Sequence, residues 1–173
     1  GPALWGLESA DRYLPATATR MNQLFSPSPW WEQTGMALAN THYLTASTES
    51  WNQRGGRSDL VSGEHEAFRL LLVRPPFTLP RAYLARPRCV SGAAESLVAV
   101  QSKGFEPGEA VVECVAPLEA AAPGAELGTA TVARYLPERV ELAVEAREPA
   151  VLVIADAFYS GWSATLDGKA VEI

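Results

Sequence analysis

The sequence predicts an α+β, mainly β fold: an antiparallel β-sandwich-like core with N-terminal helices and one helix packed on a sheet. Three observations predict it. First, Arg139–Ala146 (RVELAVEA) alternates strictly, setting Val140, Leu142, Val144 and Ala146 against Glu141, Ala143 and Glu145. That period of two marks a half-buried strand with one wet face. Second, several short strand-forming runs follow residue 67 at regular spacing with turn signals between them, the pattern of a sandwich. Third, helical spacing is confined to the N-terminal part and to the stretch after Ser91. The expected division is a helical and irregular lead-in with one short strand over 1–66, and a β-sandwich-like domain over 67–173.

Taken in order, Pro15 to Phe25 reads as a helix, with proline at its first position and apolar residues at Met21, Leu24 and Phe25. Pro27-Ser28-Pro29 breaks it. Trp30 to Asn40 reads as a second short helix that stops at Asn40, and His42 to Ala46 as a strand. Residues 47–66 are polar and glycine-rich and read as a loop, a hairpin with turns or a mobile segment. Strands are expected over Ala67–Arg74 and Arg81–Val90, where Pro87 predicts an edge or a bulge. Ser91 caps a helix over Ala93–Lys103, closed by Gly104. Four further strands follow: Glu109–Ala116, Gly128–Leu136, Arg139–Ala146 and Ala150–Phe158. Val151–Ile154 is continuously apolar and predicts a central strand covered on both faces. Asp167-Gly168 predicts a two-residue hairpin turn, since both central residues of a type I′ turn need positive φ.

Composition excludes several classes. The chain has 173 residues, 47% of them hydrophobic and 20% charged, which suits a packed core rather than disorder. The net charge is −6, and no basic face is clustered for nucleic acid. Arg81, Arg86 and Arg88 are close in sequence but read as a solvated strand edge. No apolar run reaches the about 18 residues needed to span a bilayer, and no signal peptide is visible. The two cysteines, Cys89 and Cys114, lie in apolar stretches. They read first as free core thiols, with a disulfide between adjacent strands as the alternative.

No motif for a nucleophile, a phosphate loop or a dinucleotide is present. Glu64-His65-Glu66 alternates across a strand and does not converge on a metal, and His42 reads as structural. Asp156 ends a strand without a nameable acid–base partner. The expectation is therefore no catalytic residue, no metal set and no cofactor. Ligand binding falls to exposed aromatics in irregular segments, Trp30, Trp31 and Trp51; core packing is the competing role of each. Gly161, Trp162, Asp167 and Gly168 are assigned structural roles. Gly161 redirects the chain, Trp162 anchors the hairpin from beneath, and a solvent-exposed Trp162 is the alternative.

The tail AVLVIADAFYSGWSATLDGKAVEI resembles the C-terminal signature of YfhO-like bacterial membrane proteins. Tyr159, Gly161, Trp162, Asp167 and Gly168 match, and Ser160 stands where the family usually has proline. LPRAYLARPRCVSGAAESLVAVQSKGFEPGEAVVE resembles the family's Leu-Pro-Arg-Ala strand, short helix and following turn, with Glu106 in place of aspartate. MALANTHYLTAS and, more weakly, LWGLESADRYLPATATRMNQL resemble earlier stretches. The resemblance implies the C-terminal extracytoplasmic domain of a multi-pass membrane protein similar to GT-C glycosyltransferases, which use polyprenyl-phosphate-linked sugars. The catalytic acids of such enzymes lie in loops of the membrane part, so none is carried over. The implied role is a non-catalytic accessory domain in the cell envelope. Its implied partners are the transmembrane part of the parent and envelope glycan. The alternative is a free-standing secreted carbohydrate-binding or adhesion module. The family pattern continues for about two strands past the Asp-Gly hairpin, so a domain truncated at its C-terminus is expected, with an exposed final edge.

Overall fold

The computed structural model describes residues 40–102, 105–106, 108–156 and 161–173. The helix expected over Pro15–Phe25, and all of the next except Asn40, lie outside these residues. The described chain is mainly β, with two short α-helices and four small sheets.

The first sheet holds β1 (Leu44–Ser47), β2 (Val61–His65) and β3 (Leu70–Val73), in the order β1-β3-β2 and antiparallel throughout. β3 alternates: Leu71 and Val73 are buried while Leu70 and Leu72 face outward, as a pleat requires. Residues 47–66, expected as a loop, a hairpin with turns or a partly mobile segment, form α1 (Thr48–Gln53), a 3₁₀ turn (Ser58–Leu60) and β2, which pairs antiparallel with β3. Two features organise this polar stretch. The Ser47 hydroxyl accepts from the Ser50 N–H at 3.1 Å and caps α1. Trp51 then buries its indole, only 2% exposed, among Leu60, Leu71 and Val73. Gly56 lies flat against that indole, so that a methyl group there would overlap the ring. A second 3₁₀ turn (Glu66–Phe68), ended by Arg69 at φ 49°, occupies the start of the expected Ala67–Arg74 strand. β2 and β3 pair across it, so the sheet runs over the expected boundary at residues 66–67.

The second sheet centres on β4 (Ala82–Val90) and continues through α2 (Ala93–Gln101) to β5 (Glu109–Glu113). β5 runs parallel to β4, giving a β-α-β unit with α2 packed on β5. One parallel pair thus sits in a fold otherwise antiparallel; a helical crossover is the usual way to join parallel neighbours. The remaining strands are β6 (Gly128–Leu136), β7 (Arg139–Ala146), β8 (Val151–Ile154), β9 (Ala164–Leu166) and β10 (Lys169–Val171). β8 pairs antiparallel with β4, in the sheet order β5-β4-β8. β6 and β7 form a long hairpin that packs on β4 through β6.

Two expectations about this sheet are corrected. Among the described strands β8 lies at the edge and β4 is central, despite Pro87. The reason lies in the backbone. The Arg86 N–H donates toward β5, to the Gly108 carbonyl at 2.9 Å. Neighbouring N–H groups alternate sides, so proline at 87 lacks a donor on the opposite side. β8 has already ended there, pairing only with Ala82 to Ala85, so no ladder bond is lost. The Cys89 and Cys114 thiols are also not free: they form a disulfide with Cα atoms 5.3 Å apart. β9 and β10 are joined by Asp167 at φ 50° and Gly168 at φ 79°.

Candidate functional site

Three constructed features are built from the elements above. The first joins β4, β6 and β8. Arg81 precedes β4, Tyr135 lies near the end of β6, and Asp156 follows β8. The Arg81 guanidinium donates to Asp156 Oδ1 at 2.7 Å and to the Tyr135 hydroxyl at 3.0 Å. The Tyr135 hydroxyl lies 3.0 and 3.2 Å from the two Asp156 oxygens and donates to that carboxylate. The same guanidinium stacks 4.7 Å from the Tyr135 ring centroid. Partial burial and then the Asp156 hydrogen bond push the Tyr135 hydroxyl above its ordinary pKa. The three side chains staple the β6–β7 hairpin to the central sheet.

The other arginines of this stretch are neutralised locally. Arg86 meets Glu106 at 3.2 Å and Arg88 meets Glu109 at 3.6 Å. Both glutamates lie in or next to β5, so these contacts run alongside the parallel pairing.

The second feature is the Cys89–Cys114 bridge. Cys89 is exposed and opposite Val112 of β5, while Cys114 directly follows β5. The Cys114 N–H donates to the Val90 carbonyl at 3.1 Å. The bridge therefore ties the C-terminal ends of the two parallel strands and closes the chain around α2. Beside it, the Ser91 N–H and hydroxyl donate to the Glu95 carboxylate at 2.8 and 2.6 Å. Glu95 occupies the third helical position, so it reaches back as in a capping box, although Gly92 is the cap residue and offers no side chain. Those bonds hold the Glu95 carboxyl below its ordinary pKa.

The third feature is a half-open cleft of about 280 Å³ lined by His42, Tyr43, Arg74, Pro75, Phe77 and their neighbours. It lies where the strand pairing of β1 and β3 runs out. Leu44 pairs with Val73, so Tyr43 and Arg74 are the next facing pair on the outer side of the sheet.

The residues singled out in the sequence are distributed elsewhere. Trp30 and Trp31 lie outside the described residues. Trp51, expected as an exposed binding aromatic, is instead the centre of the first core, because α1 turns its side chain inward onto β3. Trp162, expected as a buried anchor, is 38% exposed. The hairpin beside it is exposed too, with Leu166 at 56% and Val171 at 44%. Gly161 takes φ 110° with open space at its Cβ position, so its role is conformational rather than one of close packing. Among the described residues no group of three or more His, Cys, Asp or Glu side chains converges to hold a metal. Nor is any described helix long and apolar enough to cross a membrane.

No family model, curated protein or solved structure matches the chain. The sequence signals for the staple and the cleft were weak, since each joins residues far apart in the chain. Arg81 and Asp156 are 75 positions apart, and Tyr43 and Arg74 are 31 apart.

Proposed function

We propose that the chain is a non-catalytic extracytoplasmic accessory domain of a bacterial membrane protein related to polyprenyl-phosphate-sugar-dependent glycosyltransferases. In this reading it packs beside the transmembrane part of its parent and meets envelope glycan. The observation that carries the reading is the Cys89–Cys114 disulfide. Such bonds persist in the periplasm, at cell surfaces and in secreted proteins, and are rare where thiol reductants act. The bridge lies at the surface of the β-α-β unit, open to whatever redox environment the domain occupies. The resemblance of the tail and of the Leu-Pro-Arg-Ala block to YfhO-like proteins supplies the membrane parent.

Thiol trapping in intact bacteria tests the placement. With the parent gene expressed at its native level, both cysteines should resist alkylation until a reductant is added. Alkylation of both without reductant would contradict an extracytoplasmic location. The reading frame upstream of Gly1 then separates the parent from a secreted module. A run of transmembrane helices is expected, and a signal peptide alone would overturn the membrane-parent reading.

A further inference from the structure

We propose that the cleft at the end of the first sheet binds a carboxylate-bearing sugar residue of the uronic acid type, with Arg74 as its charge partner. The inference rests on the glycan-binding part of the proposed function and names the ligand class and the site.

The cleft is fixed by backbone contacts on both sides. Asn40, at φ 52°, donates through Nδ2 to the Leu79 carbonyl at 2.6 Å, and Thr78 donates to the Thr41 carbonyl at 3.2 Å. The Arg74 N–H donates to the Leu60 carbonyl at 2.8 Å. The 40–43 and 74–79 segments are thereby held side by side, and Pro75 is buried beneath them. Onto this frame Arg74 and Tyr43 project as a cross-strand pair. The Arg74 guanidinium donates to the Tyr43 hydroxyl at 2.8 Å and stands 5.3 Å from its ring centroid.

Arg57, Arg81, Arg86, Arg88, Arg139 and Arg147 each meet a carboxylate, in a chain of net charge −6. Arg74, like Arg54, Arg69 and Arg134, forms no ion pair among the described residues, and of these it is the one that lines the cleft. Among the described residues its side-chain hydrogen-bond partner is a phenol, which leaves most of its five donors available. A planar carboxylate is the natural complement of that fork.

The surroundings specify a sugar rather than a bare anion. Tyr43 is 48% and Phe77 38% exposed, and both line the same opening. Half-exposed aromatic rings beside hydrogen-bonding groups suit a ligand with one apolar face and one polar edge. His42 adds a ring nitrogen, held 3.3 Å from the Asn40 amide. The volume is at the small end for a ligand pocket, so the site suits one sugar ring, with the rest of a chain running into solvent. One guanidinium balances one carboxylate, and Arg74 is the one permanently charged side chain in the lining.

The test is calorimetric titration of the full chain with trigalacturonate, with the neutral trisaccharide of galactose and inorganic phosphate as the comparison probes. Binding to trigalacturonate is expected, with little to either of the others. Arg74→Gln should weaken it about tenfold or more, as for loss of a charged hydrogen bond. Tyr43→Phe should weaken it less, and Arg74→Lys should retain part of the affinity. Unchanged circular dichroism and thermal midpoint of each variant secure the comparison. Equal affinity for the neutral sugar, or full affinity in Arg74→Gln, would overturn the site while leaving glycan binding standing. Tighter binding of phosphate would replace the ligand class. Absence of binding to any saccharide would overturn both the site and the glycan part of the proposed function, leaving the cellular placement to the thiol-trapping result.

Discussion

The two three-stranded sheets are stabilised in different ways. Around β1-β3-β2 the buried residues are large: Trp51, Leu60, Leu71 and Val73, with Leu79 nearby. Around β5-β4-β8 they are mostly small: Ala82, Ala85, Val90 and Ala99. Removing apolar area from water yields about 25 cal/mol per Å², so alanines contribute little each. The second region adds cross-links instead: a disulfide, the Arg81–Tyr135–Asp156 staple, and arginine–glutamate pairs along β5. Sheets with thin apolar support can thus be held by specific links, and each kind of link responds to a different perturbation.

Trp51→Ala should have the largest effect. It removes the centre of the large-residue cluster among the described residues, and should cost about 3–5 kcal/mol, read from chemical denaturation. The loss should fall on the first sheet. Gly56→Val should act through the same contact, since its side chain would occupy the space of the indole.

Loss of the bridge comes next. Cys89→Ser with Cys114→Ser should cost about 2–4 kcal/mol, the usual range for a disulfide closing a loop of this kind, and should leave the Trp51 region folded. Because the closed segment is the β-α-β unit, α2 and β5 should be the first to lose amide protection.

Smaller effects sharpen the contrast. Tyr135→Phe removes a hydroxyl held between Arg81 and Asp156, and should cost about 1 kcal/mol. Tyr83→Phe should have the opposite sign. The Tyr83 hydroxyl is buried without a hydrogen-bond partner, so its removal should be neutral or stabilising by up to about 1 kcal/mol. Both tyrosines have raised pKa values, Tyr83 through burial and Tyr135 through burial and then Asp156. A raised pKa means that the folded chain holds these protons more tightly than the unfolded chain. Their contribution is fully present below the ordinary tyrosine value of 10.0 and is lost as pH rises through the folded values. An alkaline denaturation series should therefore show stability falling earlier in wild type than in the Tyr83→Phe, Tyr135→Phe double variant.

Several local elements were legible in the sequence, and the exceptions have physical causes. The alternation of RVELAVEA, the Asp167-Gly168 turn and the helix after Ser91 are local signals, and local backbone preference decides them. Residues 47–66 admitted several readings because polarity outweighed the single tryptophan in a composition-based reading. One indole, a serine cap and a glycine at the point of contact were enough to organise a helix and a strand there. Val151–Ile154 read as central because its apolar run resembles a doubly covered strand, yet half-burial at an edge proved enough for it. Pro87 pointed to an edge, which was correct for one side of β4 only. The disulfide could not be read from spacing, because it depends on the parallel register of β4 and β5. The Tyr43–Arg74 cleft depends in the same way on the pairing of β1 with β3.

The bridge and the apolar core are expected to stabilise separate regions. Hydrogen exchange read by mass spectrometry, with and without a reductant, tests this most directly. Reduction should lower protection across α2, β5 and the second half of β4 while β1, β3 and the Trp51 helix keep theirs. Equal loss of protection in both sheets, or no loss around α2, would contradict it.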